Sequence, residues 1–138
     1  MDYKKIELNG KLLAYIIRTS KNIKAQQFFG SVQDFLQVGI MGLDKGFVIK
    51  PHYHLPQNIT VTKIQEVLII LSGKIEALLF DVQNPFEVES VLLKGGDILV
   101  LLDGGHGFNI LAETKLIEVK QGPYDGQKKD KNFVDFKL

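Results

Sequence analysis

The stretch Gln65-Glu66-Val67-Leu68-Ile69-Ile70-Leu71-Ser72-Gly73-Lys74-Ile75-Glu76-Ala77-Leu78-Leu79-Phe80-Asp81 carries the clearest structural signal in the chain. Each half is apolar and strand-length, and Ser72-Gly73-Lys74 between them is a turn signal. The stretch therefore reads as a β-hairpin over residues 65–81. One residue in it is costly. Glu66 shares a strand face with Leu68 and Ile70, and an interior carboxylate needs a partner or a metal.

The flanks repeat the pattern of short strands and Gly-rich turns. Downstream, Asn84-Pro85 marks a turn, Glu87 to Lys94 alternates weakly, and Gly95-Gly96-Asp97 turns the chain. Ile98 to Leu102 is a wholly apolar strand broken by Asp103-Gly104-Gly105. Phe108 to Leu111 and Lys115 to Val119 read as a last hairpin, turning near Ala112-Glu113-Thr114. Beyond Gly122-Pro123 the chain is polar to residue 132 and ends Phe133-Val134-Asp135-Phe136, a tail that either docks across the domain or frays. Upstream, Leu12 to Arg18 is a strand introduced by Asn9-Gly10, and residues 19–30 are a loop or a short helical turn. Asp34 to Leu43 reads as a strand ended by Asp44-Lys45-Gly46. Phe47 to Ile49 runs into Pro51, which suits a strand end, and residues 55–63 are an extended loop or irregular strand.

Composition supports the same class. Val and Ile number 25, Ala only 4 and Gly 13 in 138 residues, which favours strands over helices. One such chain is a single domain with an antiparallel sandwich or barrel. Lys and Arg total 17 against 16 Asp and Glu, a net charge of +1, which argues against nucleic-acid and polybasic membrane partners. No apolar run reaches the roughly 18 residues of a membrane span, and the start of the chain lacks a signal-peptide pattern, so the expected location is cytoplasmic. The absence of Cys removes disulfides, thiolate metal sites and cysteine nucleophiles.

Only three histidines are present, and they form one pattern with Glu66. His52 and His54 are two apart, so on a strand both rings project from one face. His106 follows Gly104-Gly105 after the later apolar strand. Three imidazoles and a carboxylate suit a borderline divalent ion: iron, manganese, nickel, copper or zinc. The plainer alternatives are a solvent-facing His pair, an outward Glu66 bound to a lysine, and a His106 that caps a turn. Gln37 and Gln65 read as surface or hydrogen-bonding residues, the run Lys128-Lys129-Asp130-Lys131 as solvated surface, and Phe28, Phe29, Phe35, Phe47, Phe80 and Phe108 as core or pocket lining.

These residues resemble the cupin superfamily. Gly46, His52, His54, Glu66 and Gly73 match its first motif, and Gly96, Gly104, His106 and Asn109 its second, across about residues 36–120. The interval from His54 to Glu66 is longer than the motif's, Leu102 stands where it has proline, and the steps from Gly104 to His106 and from His106 to Asn109 are each one residue short. More narrowly, Gly104-Gly105-His106-Gly107-Phe108 and Ile117-Glu118-Val119-Lys120-Gln121-Gly122-Pro123-Tyr124 resemble small single-domain bacterial cupins, some of which look associated with surface-polysaccharide or sugar-nucleotide loci.

The resemblance implies an all-β fold: a cupin-type antiparallel β-barrel, or jelly roll, with a C-terminal tail over residues 121–138. It implies metal ligation by His52, His54, Glu66 and His106 and a small-molecule ligand. Three functions stay open: a metal-dependent enzyme such as a sugar or sugar-nucleotide isomerase, epimerase or dioxygenase; a ligand-binding or sensing module; and a metal-free sugar-nucleotide isomerase. In the last, a histidine and Tyr53 or Tyr124 would serve as base and acid. The turn with Lys120, Gln121 and Tyr124 would then fold over the site. The expected assembly is a homodimer, with Leu12–Arg18 the candidate strand for pairing.

Overall fold

The structure, a computed structural model, describes residues 2–19 and 26–135. Among them ten strands alternate with short turns: β1 (Asp2–Leu8), β2 (Lys11–Arg18), β3 (Gln26–Phe29), β4 (Val38–Met41), β5 (Glu66–Ser72), β6 (Lys74–Asp81), β7 (Asn84–Lys94), β8 (Asp97–Leu101), β9 (Gly105–Ile110) and β10 (Lys115–Lys120). One helical turn, α1 (Gln127–Asp130), follows. All ladders are antiparallel, so the fold is all-β. They make a five-stranded sheet β1-β2-β8-β5-β10, a three-stranded sheet β7-β6-β9 and a β3-β4 ribbon, and no ladder among the described residues joins these into one closed barrel.

The five-stranded sheet is apolar on both faces. Ile16, Leu68, Ile70 and Leu99 pack with Ile75, Leu79 and Leu93 of the three-stranded sheet to form the main core. Tyr15, Ile17, Val67 and Val100 point the other way, against Phe29, Leu36 and Val38 in and beside the ribbon. Two buried faces explain why β5 and β8 read as unbroken apolar runs rather than as alternating ones. A bulge serves the same end in β2. Ile6 pairs with Ala14 and Glu7 with Leu12, so Leu13 is the extra residue and joins Ala14 on the main core face.

The apolar run over 65–81 is not a hairpin. β5 pairs with β8 and β10, whereas β6 pairs with β7 and β9, so the chain changes sheets at Gly73. A single residue between two strands is too short for a hairpin loop, and it serves instead as a corner. Gly73 has φ +92°, and a Cβ there would lie 2.3 Å from the Glu113 carbonyl oxygen and 2.6 Å from Thr114 Cα. The expected final hairpin fails in the same way, because β9 belongs to the three-stranded sheet and β10 to the five-stranded one. The crossings pack together. Lys74 donates its N–H to Thr114 Oγ1 at 3.2 Å, Leu111 donates to the Lys74 carbonyl at 2.9 Å, and Gly95 donates to the Gly73 carbonyl at 3.3 Å.

Other elements move. The polar start of the chain is an edge strand, β1, with Lys4 and Lys5 exposed and Ile6 and Leu8 buried. The turn expected at Asn84-Pro85 lies at Val82-Gln83, and β7 already begins at Asn84. Of the loop or helical turn expected over 19–30, residues 20–25 lie outside the described residues and Gln26–Phe29 are a strand. The strand expected over Asp34 to Leu43 shrinks to β4, because Ser31, Asp34 and Gln37 close a turn on themselves: Gln37 Nε2 donates to the Ser31 and Asp34 carbonyls at 2.8 and 2.9 Å. Phe28 and Phe47 are 54% and 63% exposed rather than core, while Phe29 and Phe80 are buried. Leu12–Arg18, expected to pair copies, is hydrogen-bonded on both edges by β1 and β8. No helix among the described residues is long and apolar enough to cross a membrane.

Candidate functional site

Three carboxylates are buried among the described residues, and each has a partner. Asp81 accepts from Lys11 Nζ at 2.8 Å and from the Gln83 N–H at 3.2 Å. Asp97, at the β7–β8 crossing, is paired with Arg18 and accepts from the Lys94 N–H at 2.8 Å. Both bind fixed cations and tie corners of the fold. Glu66 differs, because its close partner is an imidazole: Glu66 Oε2 lies 3.2 Å from His106 Nε2.

The fold brings this pair together from two sheets. Glu66 opens β5, opposite Leu101 of β8 and Lys120 of β10. His106 lies on β9, opposite Leu79. Two residues along each strand, Leu68 and Phe108 pack into the main core, so by strand alternation both side chains face between the sheets, at one end of the core. The His106 ring lies 5.4 Å from that of Phe108. Glu66's side chain is 12% exposed and His106's 32%, so the pair is partly open to solvent, mainly through His106. The His106 hydrogen bond holds the Glu66 carboxyl below the usual carboxylate range, against the raising effect of burial, and the His106, Lys120 and Lys131 charges add to the lowering.

A second layer stands behind the pair. Lys120 Nζ is 3.0 Å from Asp130 Oδ2 and 5.0 Å from the centroid of the Tyr124 ring. The Asp130 hydrogen bond is the chief cause that raises the Lys120 pKa. The C-terminal segment thus docks through Asp130, while Phe133 stays 80% exposed. Tyr124 is exposed and leans on Lys120 rather than on the Glu66–His106 pair. Gln65 is buried and clamps the same end: its Oε1 accepts from the Leu36 N–H at 3.0 Å, its Nε2 donates to the Leu102 carbonyl at 3.3 Å, and its own N–H donates to Gln121 Oε1 at 2.8 Å.

His52 and His54 are elsewhere. They stand together, rings 5.5 Å apart and edge-on, in a segment without secondary structure, where every residue from 43 to 64 is exposed. His52 Nδ1 is 2.8 Å from the Lys50 carbonyl, so it donates there and leaves the Nε2 lone pair free. Tyr53 is 83% exposed. The structure therefore joins the four expected metal ligands two by two. Among the described residues no three His, Asp or Glu side chains are gathered around one point. Asn109 is turned away from His106 and donates to Glu76 Oε2 at 3.0 Å, in an outer cluster with Ser90.

Sequence reasoning missed Asp130, which looked like one more charge in a lysine-rich run. Its neighbour Lys129 fits that description, pairing with Asp125 in a wholly exposed i, i+4 contact. Nothing in the local pattern separates the two acids, because the difference lies in what β10 presents to α1. No protein-family model, no curated protein and no solved structure matches this chain.

Proposed function

We propose that the chain is a cupin-type jelly-roll domain that binds a small oxygenated molecule at the end of its inter-sheet core. A divalent transition metal is held there by His106 and Glu66 together with His52 and His54. One observation carries the reading: a carboxylate and an imidazole, 3.2 Å apart, brought from different sheets to one end of the core. The donor types fit iron, manganese, nickel, copper or zinc. The free Nε2 of His52, its Nδ1 already tied to a backbone carbonyl, fits a ligand histidine. When bound, such an ion supplies Lewis-acid polarisation of a ligand oxygen or a lowered pKa for water. The protein's own groups supply the rest: Glu66 orients His106, the Phe108 wall limits water, and Lys120 places positive charge behind the carboxylate. A metal-dependent isomerase, epimerase or dioxygenase, and a ligand-binding module, all use this arrangement. A cytoplasmic homodimer completes the proposal.

Elemental analysis of protein grown and purified with each metal tests it. About one equivalent is expected in the wild type and a clear loss in H106A and H54A. Content well below one equivalent with every metal overturns it.

A second reading is favoured by the pair's existing contact. A carboxylate hydrogen-bonded to an imidazole is the arrangement of an oriented general base. A metal-free isomerase would use His106 in that role, with Tyr124 as proton donor. Turnover of a sugar nucleotide that persists in chelator and falls in H106A and Y124F selects this reading; no turnover in chelator rejects it.

A further inference from the structure

The least satisfied part of the described chain is the segment between β4 and β5. Phe47, Val48, Tyr53, Leu55, Ile59 and Ile64 are all 49–83% exposed. So much apolar side chain on one short stretch is unfavourable in water and marks a surface that becomes covered. Residues 47–49, 53–55 and 59–61 each place two apolar side chains at i and i+2, the spacing of a strand with one buried face. Yet the hydrogen bonds within residues 44–62 are two local ones, Phe47 N–H to the Asp44 carbonyl and His52 to the Lys50 carbonyl.

The C-terminal end of this segment is held where the Glu66–His106 pair lies. Lys63 is ion-paired with Asp103, three residues before His106. Gln65, next to Glu66, holds Leu36 from the chain before β4. Lys63 follows His54 by nine positions, an extended reach of ~30 Å. Both histidines can therefore reach the pair from their own anchored base. A pinned end also makes closure within one chain cheap compared with recruiting a second molecule, because the cost of closing a loop grows only slowly with its length.

Resting on the metal reading above, we infer that residues 47–64 are a strap that closes over the Glu66–His106 pair when a divalent ion binds, carrying His52 and His54 to it and covering the apolar side chains. The ion joins the two histidine-bearing halves and the apolar burial holds the closed strap. Metal affinity and ordering of this segment are then one coupled event.

Amide hydrogen exchange on the full chain tests this, with zinc, manganese and nickel ions each added alone. The expected result is exchange slowed at least about tenfold across residues 47–64 by an ion that binds, with the five-stranded sheet unchanged. The double variant H52A/H54A alters only exposed residues and keeps its fold. It should lose this slowing, as should H106A. Binding of about one equivalent with residues 47–64 exchanging at the ion-free rate overturns the strap and leaves the metal reading standing. Slowing that increases with protein concentration overturns closure within one chain. No binding of any of the three ions overturns both.

Discussion

Glu66 and His106 meet at 3.2 Å although they stand on strands of different sheets, so their contact exists only when the two sheets are packed. This ties a polar pair to the integrity of the core end. It also makes the pair a reporter of acid stability. The Glu66 carboxyl is held below its ordinary value, first by the His106 hydrogen bond. A carboxyl depressed in the folded state contributes stability above its unfolded pKa, and that contribution is lost as pH falls through the folded value. Urea denaturation across the acid range should therefore show wild type more stable than E66Q near neutrality, the gap closing as pH falls. A gap that stays constant with pH means that the coupling is absent. H106A, which leaves the buried carboxylate without its close partner, should lose about 1–3 kcal/mol near neutral pH.

Gly73 is the corner on which β5 becomes β6. With φ +92° and the Glu113 carbonyl 2.3 Å from the place of a Cβ, G73A combines a left-handed backbone with a clash against main chain. The expected loss is about 2–4 kcal/mol. Gly107 on β9 has no atom within 4 Å of its Cβ position, so G107A should stay within about 0.5 kcal/mol of wild type. Thermal and urea denaturation of the two variants check the contrast. Equal effects would remove the corner argument.

Gln65 joins the chain before β4, the end of β8 and the turn after β10 through one buried amide. Q65A strips partners from the Leu36 N–H and the Leu102 carbonyl and should cost about 1–3 kcal/mol. Q65E keeps an acceptor for Leu36 but buries a new carboxylate against the Leu102 carbonyl, and should cost at least as much as Q65A. Urea midpoints of the three proteins decide it, and a Q65A midpoint equal to wild type refutes the clamp.

The C-terminal turn should be released in alkali. Lys120 has a raised pKa, chiefly through Asp130. A lysine raised in the folded state contributes stability that is complete below its unfolded pKa and lost as pH rises through the folded value. Ring resonances of isotope-labelled Tyr124, which lies on the Lys120 ammonium, should hold steady at neutral pH and shift above the ordinary lysine range. In D130N they should sit at the released position already at neutral pH. Unchanged Tyr124 resonances in D130N would show that Asp130 does not dock the tail.

Several site features were legible early because they are local. A carboxylate inside Gln65–Leu71 had to find a partner, and Glu66 has one. His106 was marked by the glycines before it: a Cβ on Gly104 would meet the Phe80 carbonyl oxygen at 2.4 Å, and one on Gly105 the Phe80 ring at 2.1 Å. The docking of Asp130 and the clamp by Gln65 were not legible, because Asp130 meets the Lys120 side chain only when α1 folds back on β10, and Gln65 meets backbone groups of Leu36 and Leu102 far along the chain. The placement of His52 and His54 outside any strand also escaped the spacing argument. Pro51 and Pro56 bracket them, and periodicity of two describes a strand only once a neighbouring strand supplies its hydrogen bonds.

By itself the sequence determined the all-β class and the central strands β2, β5, β6 and β8: β-branched runs, scarce alanine and glycines at tight positions leave few other conformations open there. Only the tertiary structure decided which strands lie side by side. A strand's apolar face states that it must be covered, not by what, and β5 is apolar on both faces. Gly73 reads equally as the tip of a hairpin or the corner between two sheets. The choice was made by Glu113 and Thr114, some forty residues away, whose packing against Gly73 exists only in the folded chain.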